Sequence, residues 1–166
     1  MKIFILAAAL VATLMLTATT APASAATKTR VNALFCADAG GQWTIPAGTE
    51  VQVALGFFTK SRGLATDFVH AQRTSISIDG GSVIDISGFW STPEPFFLEP
   101  YGDTWLTRVV YDTGVVLGEG ATMHFQFVLE ERHVLLDGLV FENGVSGKPV
   151  LFRPNVYVYD CTVTGV

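Results

Sequence analysis

Period-two alternation between residues 123 and 129 constrains this chain more than any other feature. Met123, Phe125, Phe127 and Leu129 fall on one side of an extended backbone, and His124, Gln126 and Val128 on the other. That is the pattern of a strand with one buried face. Just ahead, Leu117-Gly-Glu-Gly120 reads as a corner, with the stretch from Trp105 forming the strand before it. A second run repeats the design: Val51, Val53, Leu55 and Phe57 alternate with Glu50, Gln52, Ala54 and Gly56. The two runs share a longer spacing, Ile45-x-x-Gly48-x-x-Val51-x-Val53 and Leu117-x-x-Gly120-x-x-Met123-x-Phe125. An apolar plug, a glycine turn and an alternating strand follow in the same order. Two copies are too few for a repeat protein and are expected to be two corners of a sandwich.

Turn signals divide the remaining chain into further short strands. Ile76 and Ile78, then Asp79-Gly-Gly-Ser82, then Ile84 and Ile86 predict a hairpin. A first strand is expected over residues 27–36, a short apolar strand over 134–136, and a last strand over 156–163. Val140, Phe141 and a Gly-rich turn over 142–147 are expected between the last two. Residues 60–73 interrupt the β-pattern. Leu64, Phe68 and Ala71 fall at helical spacing, with Thr66 or Asp67 as the cap, so one short helical crossover is expected there. The predicted fold class is all-β: an antiparallel two-sheet β-sandwich, immunoglobulin-like or fibronectin-like, with about eight short strands. A barrel or jelly roll is the rival architecture.

The N-terminus sets the compartment. Met1-Lys2, an apolar run over residues 3–16 and Ala23-Ser24-Ala25 have the charged, apolar and small-x-small parts of a secretory signal peptide. The apolar run is short for a membrane span. Residues 1–25 are therefore expected to be removed, leaving residues 26–166 as one exported domain, extracellular or periplasmic, with no membrane span. In an oxidising compartment Cys36 and Cys161 are expected to pair, tying the first strand to the last. Closing so long a loop would restrict the unfolded chain by roughly 4–5 kcal/mol on the chain-entropy model.

Charge and motif searches exclude several functions. Loss of residues 1–25 removes Lys2 and no acid, leaving 9 basic against 15 acidic residues and a net charge of −6. The basic residues stand singly, so no phosphate-tracking surface forms and nucleic acid is not an expected partner. His70, His124 and His133 make no local ligand pair, and no metal or cofactor is expected. Asp79, Asp85, Asp103 and Asp137 lie at turns, but in no recognised calcium spacing. Glu130 and Glu131 are adjacent, so on a strand they point to opposite faces and cannot flank one bond. Catalysis is not expected.

Residues 88–105 are the candidate site. Phe89, Trp90, Phe96, Phe97, Tyr101 and Trp105 are interleaved with Glu94, Glu99 and Asp103, while Pro93, Pro95 and Pro100 disfavour regular structure. Three fates are open to this loop. Its aromatics can fold back to cap the sandwich, can anchor a partner protein, or can stack on a sugar beside carboxylates that accept its hydroxyls. The predicted contact residues are Trp90, Phe96, Phe97, Tyr101, Trp105, Glu94 and Glu99. The expected function is a non-catalytic binding or cell-surface structural module for a surface protein, with a carbohydrate-binding module as the alternative.

Overall fold

The computed structural model describes residues 27–139 and 151–166. The expected signal peptide, and the strand and turn expected over residues 140–147, lie outside them. In chain order the elements are β1 (Lys28–Asn32), α1 (Ala33–Asp38), β2 (Gln42–Ile45), β3 (Thr49–Thr59), α2 (Arg62–Ala71), β4 (Gln72–Ile78) and β5 (Ile84–Asp85). A 3-10 turn (Ser87–Phe89) leads to β6 (Glu94–Leu98), β7 (Gly102–Leu117), β8 (Thr122–Glu131), β9 (Leu135–Leu136), β10 (Leu151–Phe152) and β11 (Asn155–Gly165). One sheet has the order β1-β3-β7-β6 and the other β2-β11-β8-β4-β5; β9 and β10 form a separate small ladder. The fold is all-β and sandwich-like, and the sheets do not close into a barrel.

The core is where the alternating residues of both sheets meet. Val51, Val53, Leu55 and Val109 come from the first sheet, and Ile76, Met123, Phe125, Phe127, Leu129 and Val163 from the second. The two period-two runs that predicted strands are thus the two main core-facing sets, β3 and β8. Each is preceded by its predicted corner. Ile45 and Leu117 are buried plugs, and Gly48 and Gly120 take φ of 80° and 72°, which a residue with a Cβ adopts only at a cost. At the first corner the chain passes from the second sheet to the first, and at the other it passes back. The corners lie side by side and are laced together. The Gly48 N–H donates to the Leu117 carbonyl (2.7 Å), the Ala47 N–H to that of Val166 (2.8 Å) and the Gly120 N–H to that of Gly165 (2.9 Å).

Three expectations need correction. First, both sheets are mixed: β1 runs parallel to β3 and β2 parallel to β11, while the other pairs are antiparallel. The connection from β1 to β3 carries α1 and β2, which gives it the length a parallel crossover needs. Second, eleven strands occur among the described residues rather than about eight, and β7 alone spans 16 residues. Third, the first strand ends at Asn32, whose side chain accepts the Phe35 N–H and starts α1. Cys36 therefore sits on a helix, and its disulfide to Cys161 joins α1 to β11. The pairing itself is as expected.

The helical crossover is present as α2, one turn longer toward its N-terminus than the sequence pattern suggested. Its cap is Ser61, whose side chain accepts the Leu64 N–H. Phe68 is fully buried, stacks on Phe57 with ring centroids 3.7 Å apart, and meets Trp90 edge-on at 5.0 Å. The helix thereby closes the space between the sheets at the end opposite the corners. The 75–86 hairpin also forms, with Ile76 opposite Ile84 and a tip in which Asp79 and Gly80 both have positive φ.

Candidate functional site

The segment expected to be irregular contains a strand. β6 pairs with β7 from Glu94 opposite Leu106 to Leu98 opposite Gly102. Pro95 is tolerated because β6 is the edge of its sheet, where a missing N–H leaves no ladder bond unmade. The hairpin tip is tight: the Tyr101 N–H donates to the Leu98 carbonyl at 2.6 Å. Lys60 steadies the tip from β3's side, its Nζ donating to the carbonyls of Tyr101 (3.2 Å) and Asp103 (3.0 Å).

This arrangement separates the predicted contact residues. Trp90 is a core residue, only 8% exposed, and its indole N–H donates to Thr74 Oγ1 at 2.9 Å. It therefore presents no face to solvent. Phe96 and Phe97 are adjacent on a strand and point to opposite faces. The Phe96 ring lies 5.3 Å from Phe58, whereas Phe97, opposite Asp103, is 61% exposed. Trp105 is partly buried beneath the Arg62 guanidinium, 5.9 Å from its ring. Tyr101 is half-buried at the tip. Glu94 forms an ion pair with Arg108 at 3.0 Å, and Glu99 is exposed. What remains at the surface is an edge strand with an aromatic side chain on each face.

The same end of the sandwich holds a group that the sequence reading set aside. Glu131 closes β8 on the core-facing side, in register with Gln72 on β4 and Asn155 on β11. It is almost fully buried, and its Oε2 has no hydrogen-bond partner. Burial pushes its carboxyl up to about 7, because desolvation penalises the charged form. Nearby Tyr159 is pushed up to about 12, by burial first and then by Tyr157, Glu131 and Asp38. Parity could have found Glu131, which continues the buried series 123, 125, 127, 129. Glu130, on the other face, pairs with Arg132 at 3.5 Å.

Next to it, the fold brings together two histidines 63 residues apart in sequence. The Arg132 N–H donates to the Ala71 carbonyl at 3.0 Å, which holds the segment after β8 against the end of α2. His70 and Asp67 from α2 and His133 from that segment line one groove of about 470 Å³, with Leu64 and Leu135. Among the described residues no group of three or more His, Cys, Asp or Glu side chains is placed to hold a metal ion. The turn aspartates have local uses. Asp79 Oδ1 accepts the His124 N–H (2.8 Å), and Asp137 Oδ1 accepts that of Leu139 (3.0 Å). Hydrogen bonds from Ser87 hold the Asp85 carboxyl below its usual range, with Arg73 adding to the effect.

Comparison with protein-family models, curated proteins and solved structures finds no match to this chain.

Proposed function

We propose that this chain is an exported, non-catalytic β-sandwich module that binds a protein at a cell surface or serves there as a structural part. The observation that carries the reading is the β6 edge, where Phe96 and Phe97 stand exposed around a proline-containing strand. Exposed aromatics with few rotatable bonds are the usual anchors of protein contacts. The N-terminal pattern of residues 1–25 and the Cys36–Cys161 disulfide favour export into an oxidising compartment. No helix among the described residues is long and apolar enough to cross a membrane. An immunoglobulin-like or fibronectin-like lineage is our proposal for the fold. Two facing sheets favour it, while a disulfide from a helix to the last strand is not the bridge between sheets found in antibody domains.

The carbohydrate-binding alternative needs at least two coplanar, solvent-facing rings beside acids. Burial of Trp90 and the opposite orientations of Phe96 and Phe97 weaken it. A thermal-shift screen against soluble glycans, calcium and purified surface proteins tests both readings, with Phe97→Ser alongside. A bound ligand at a hundred times its dissociation constant adds about 2.7 kcal/mol. A protein ligand whose shift is lost in a folded Phe97→Ser variant supports the proposal. A glycan shift supports the alternative, and a protein-induced shift untouched by Phe97→Ser refutes the assignment of this edge.

A further inference from the structure

Glu131 stands on the last rung of two ladders, between Gln72 of β4 and Asn155 of β11. It is 3% exposed, and its Oε2 has no hydrogen-bond partner. Gln72, beside it, is already engaged: its side chain accepts from the Thr74 hydroxyl and donates to the Val69 carbonyl at 3.4 Å. A buried carboxyl oxygen without a donor is costly, and more so once the group ionises. Such an atom in a native structure calls for an explanation, and a partner outside the chain is one.

The end of the ladder gives access to this group. Beyond the last rung, Glu131 and Asn155 line a surface depression of about 480 Å³ together with Glu130, Arg132, Pro154 and Val156. Pro154 and the exposed Val156 form an apolar wall, Asn155 offers an amide oxygen, and Glu130 adds a carboxylate at the rim. The cation lining the depression, Arg132, is paired with Glu130 at 3.5 Å. Other charged or titratable groups come from every element nearby. Tyr157 and Tyr159 share the inner face of β11 with Asn155, and Asp38 of α1 lies beyond Tyr159. Arg73 of β4 is opposite Glu130 on the outer face and pairs with Asp85 at 3.2 Å. His70 and His133 flank the bond between Ala71 and Arg132. Burial is the cause of the raised Glu131 carboxyl, and no neighbouring cation offsets it.

We propose that this depression is a subsite for a lysine or arginine side chain of a partner protein, its stem lying along Pro154 and Val156 and its cationic head donating to Glu131. The orphaned Oε2 asks for a donor, and an ionised carboxylate in a poorly solvated place asks for a positive one. Long cationic side chains carry an apolar stem that suits the wall. The chain as a whole, with 15 Asp and Glu against 10 Lys and Arg, attracts such a partner. A metal ion fits less well, because Glu130 and Glu131 point to opposite faces of β8 and cannot chelate together. The subsite is independent of the β6 edge, which lies in the other sheet, so its failure would leave that assignment standing.

Chemical-shift titration of the purified chain tests the proposal, with N-acetyl-lysine methylamide and N-acetyl-arginine methylamide as probes. N-acetyl-norleucine methylamide, which has the stem without the charge, is the control. Probes of this size bind with dissociation constants on the order of millimolar. The expected result is saturable shifts at the amides of residues 130–132, 155 and 156 with both cationic probes and none with norleucine. The ionised carboxyl is the binding form, and a free group titrating at about 7 is roughly one-tenth ionised at pH 6 and nine-tenths at pH 8. Affinity should therefore be about tenfold tighter at pH 8 than at pH 6. Glu131→Gln, with its spectrum showing the fold intact, should lose the binding, whereas Glu130→Gln should weaken it and keep the pH dependence. Val156→Ser, which cuts the apolar wall and leaves the carboxyl alone, should weaken both probes by about fivefold. Absence of saturable shifts at pH 8 overturns the inference. So does equal binding of norleucine, an affinity flat between pH 6 and 8, or binding retained in folded Glu131→Gln.

Discussion

Replacing Glu131 with Gln should make the protein more stable above neutral pH and change little in acid. In the folded chain the carboxyl is raised from its ordinary 4.5 to about 7 by burial alone. The native state therefore holds its proton more tightly than the unfolded chain does. Native stability from this group is fully present below about pH 4.5, is lost as pH rises through about 7, and is flat above that. At 1.36 kcal/mol for each pH unit between those values, the upper bound is about 3 kcal/mol. Glu131 lies at the end of the sheet, beside a surface depression. Water screening there reduces the expected effect to about 1–2 kcal/mol. Gln keeps the shape and cannot ionise. Urea unfolding of both proteins at several pH values, read by tryptophan fluorescence, gives the difference directly. Every other ionisable group is present in both proteins, so its contribution cancels in the difference. A gap that stays constant between acid and neutral pH, or that favours Glu131 as pH rises, would refute the reasoning.

Two further substitutions test the packing. Phe125 is fully buried at the centre of β8, so Phe125→Ala should cost about 3–5 kcal/mol in equilibrium unfolding; a loss under about 1 kcal/mol would place the ring outside the core. A Cβ on Gly165 would stand 2.3 Å from the Gly118 carbonyl oxygen, so Gly165→Ala should separate the laced corners and lower stability by about 1–3 kcal/mol. Full stability in that variant would show that the corners can move apart freely.

Legibility in the sequence depended on which physical signal each feature leaves behind. Strands buried on one face leave a period of two, so β3, β8 and their glycine corners could be read from residues 45–57 and 117–129. Strand direction leaves no such trace, because parallel and antiparallel partners share the same alternation; β1 and β2 were therefore assigned no parallel neighbours. α1 is six residues long, too short for helical periodicity, and depends on its Asn32 cap and its disulfide. At the candidate site the sequence supplied the aromatics but not their depth. Trp90 and Phe97 differ only in where β6 begins, and the prolines that argued against a strand are compatible with one at an edge. Glu131 was legible by parity, yet a carboxylate at a buried parity position is rare, and the adjacent Glu130 is a surface residue that pairs with Arg132.

The two ends of the sandwich are held together differently. At the corner end the two glycine corners are bonded to each other and to the C-terminal residues, and Gly165 leaves no room for a side chain. At the opposite end, among the described residues, α2, the β6–β7 tip and residues 132–139 meet through fewer backbone bonds. Lys60 joins them: its N–H donates to the Asp137 carbonyl at 2.8 Å, and its ammonium holds the hairpin tip. The buried carboxyl of Glu131, the histidine groove and the aromatic edge strand all belong to this second end. Loops held on a rigid frame can change sequence without unfolding the frame, which is why binding surfaces concentrate on them. Closing the core with laced corners at one end therefore leaves the other free to carry groups, such as an orphaned carboxyl oxygen and exposed phenylalanines, that would weaken a fold depending on them.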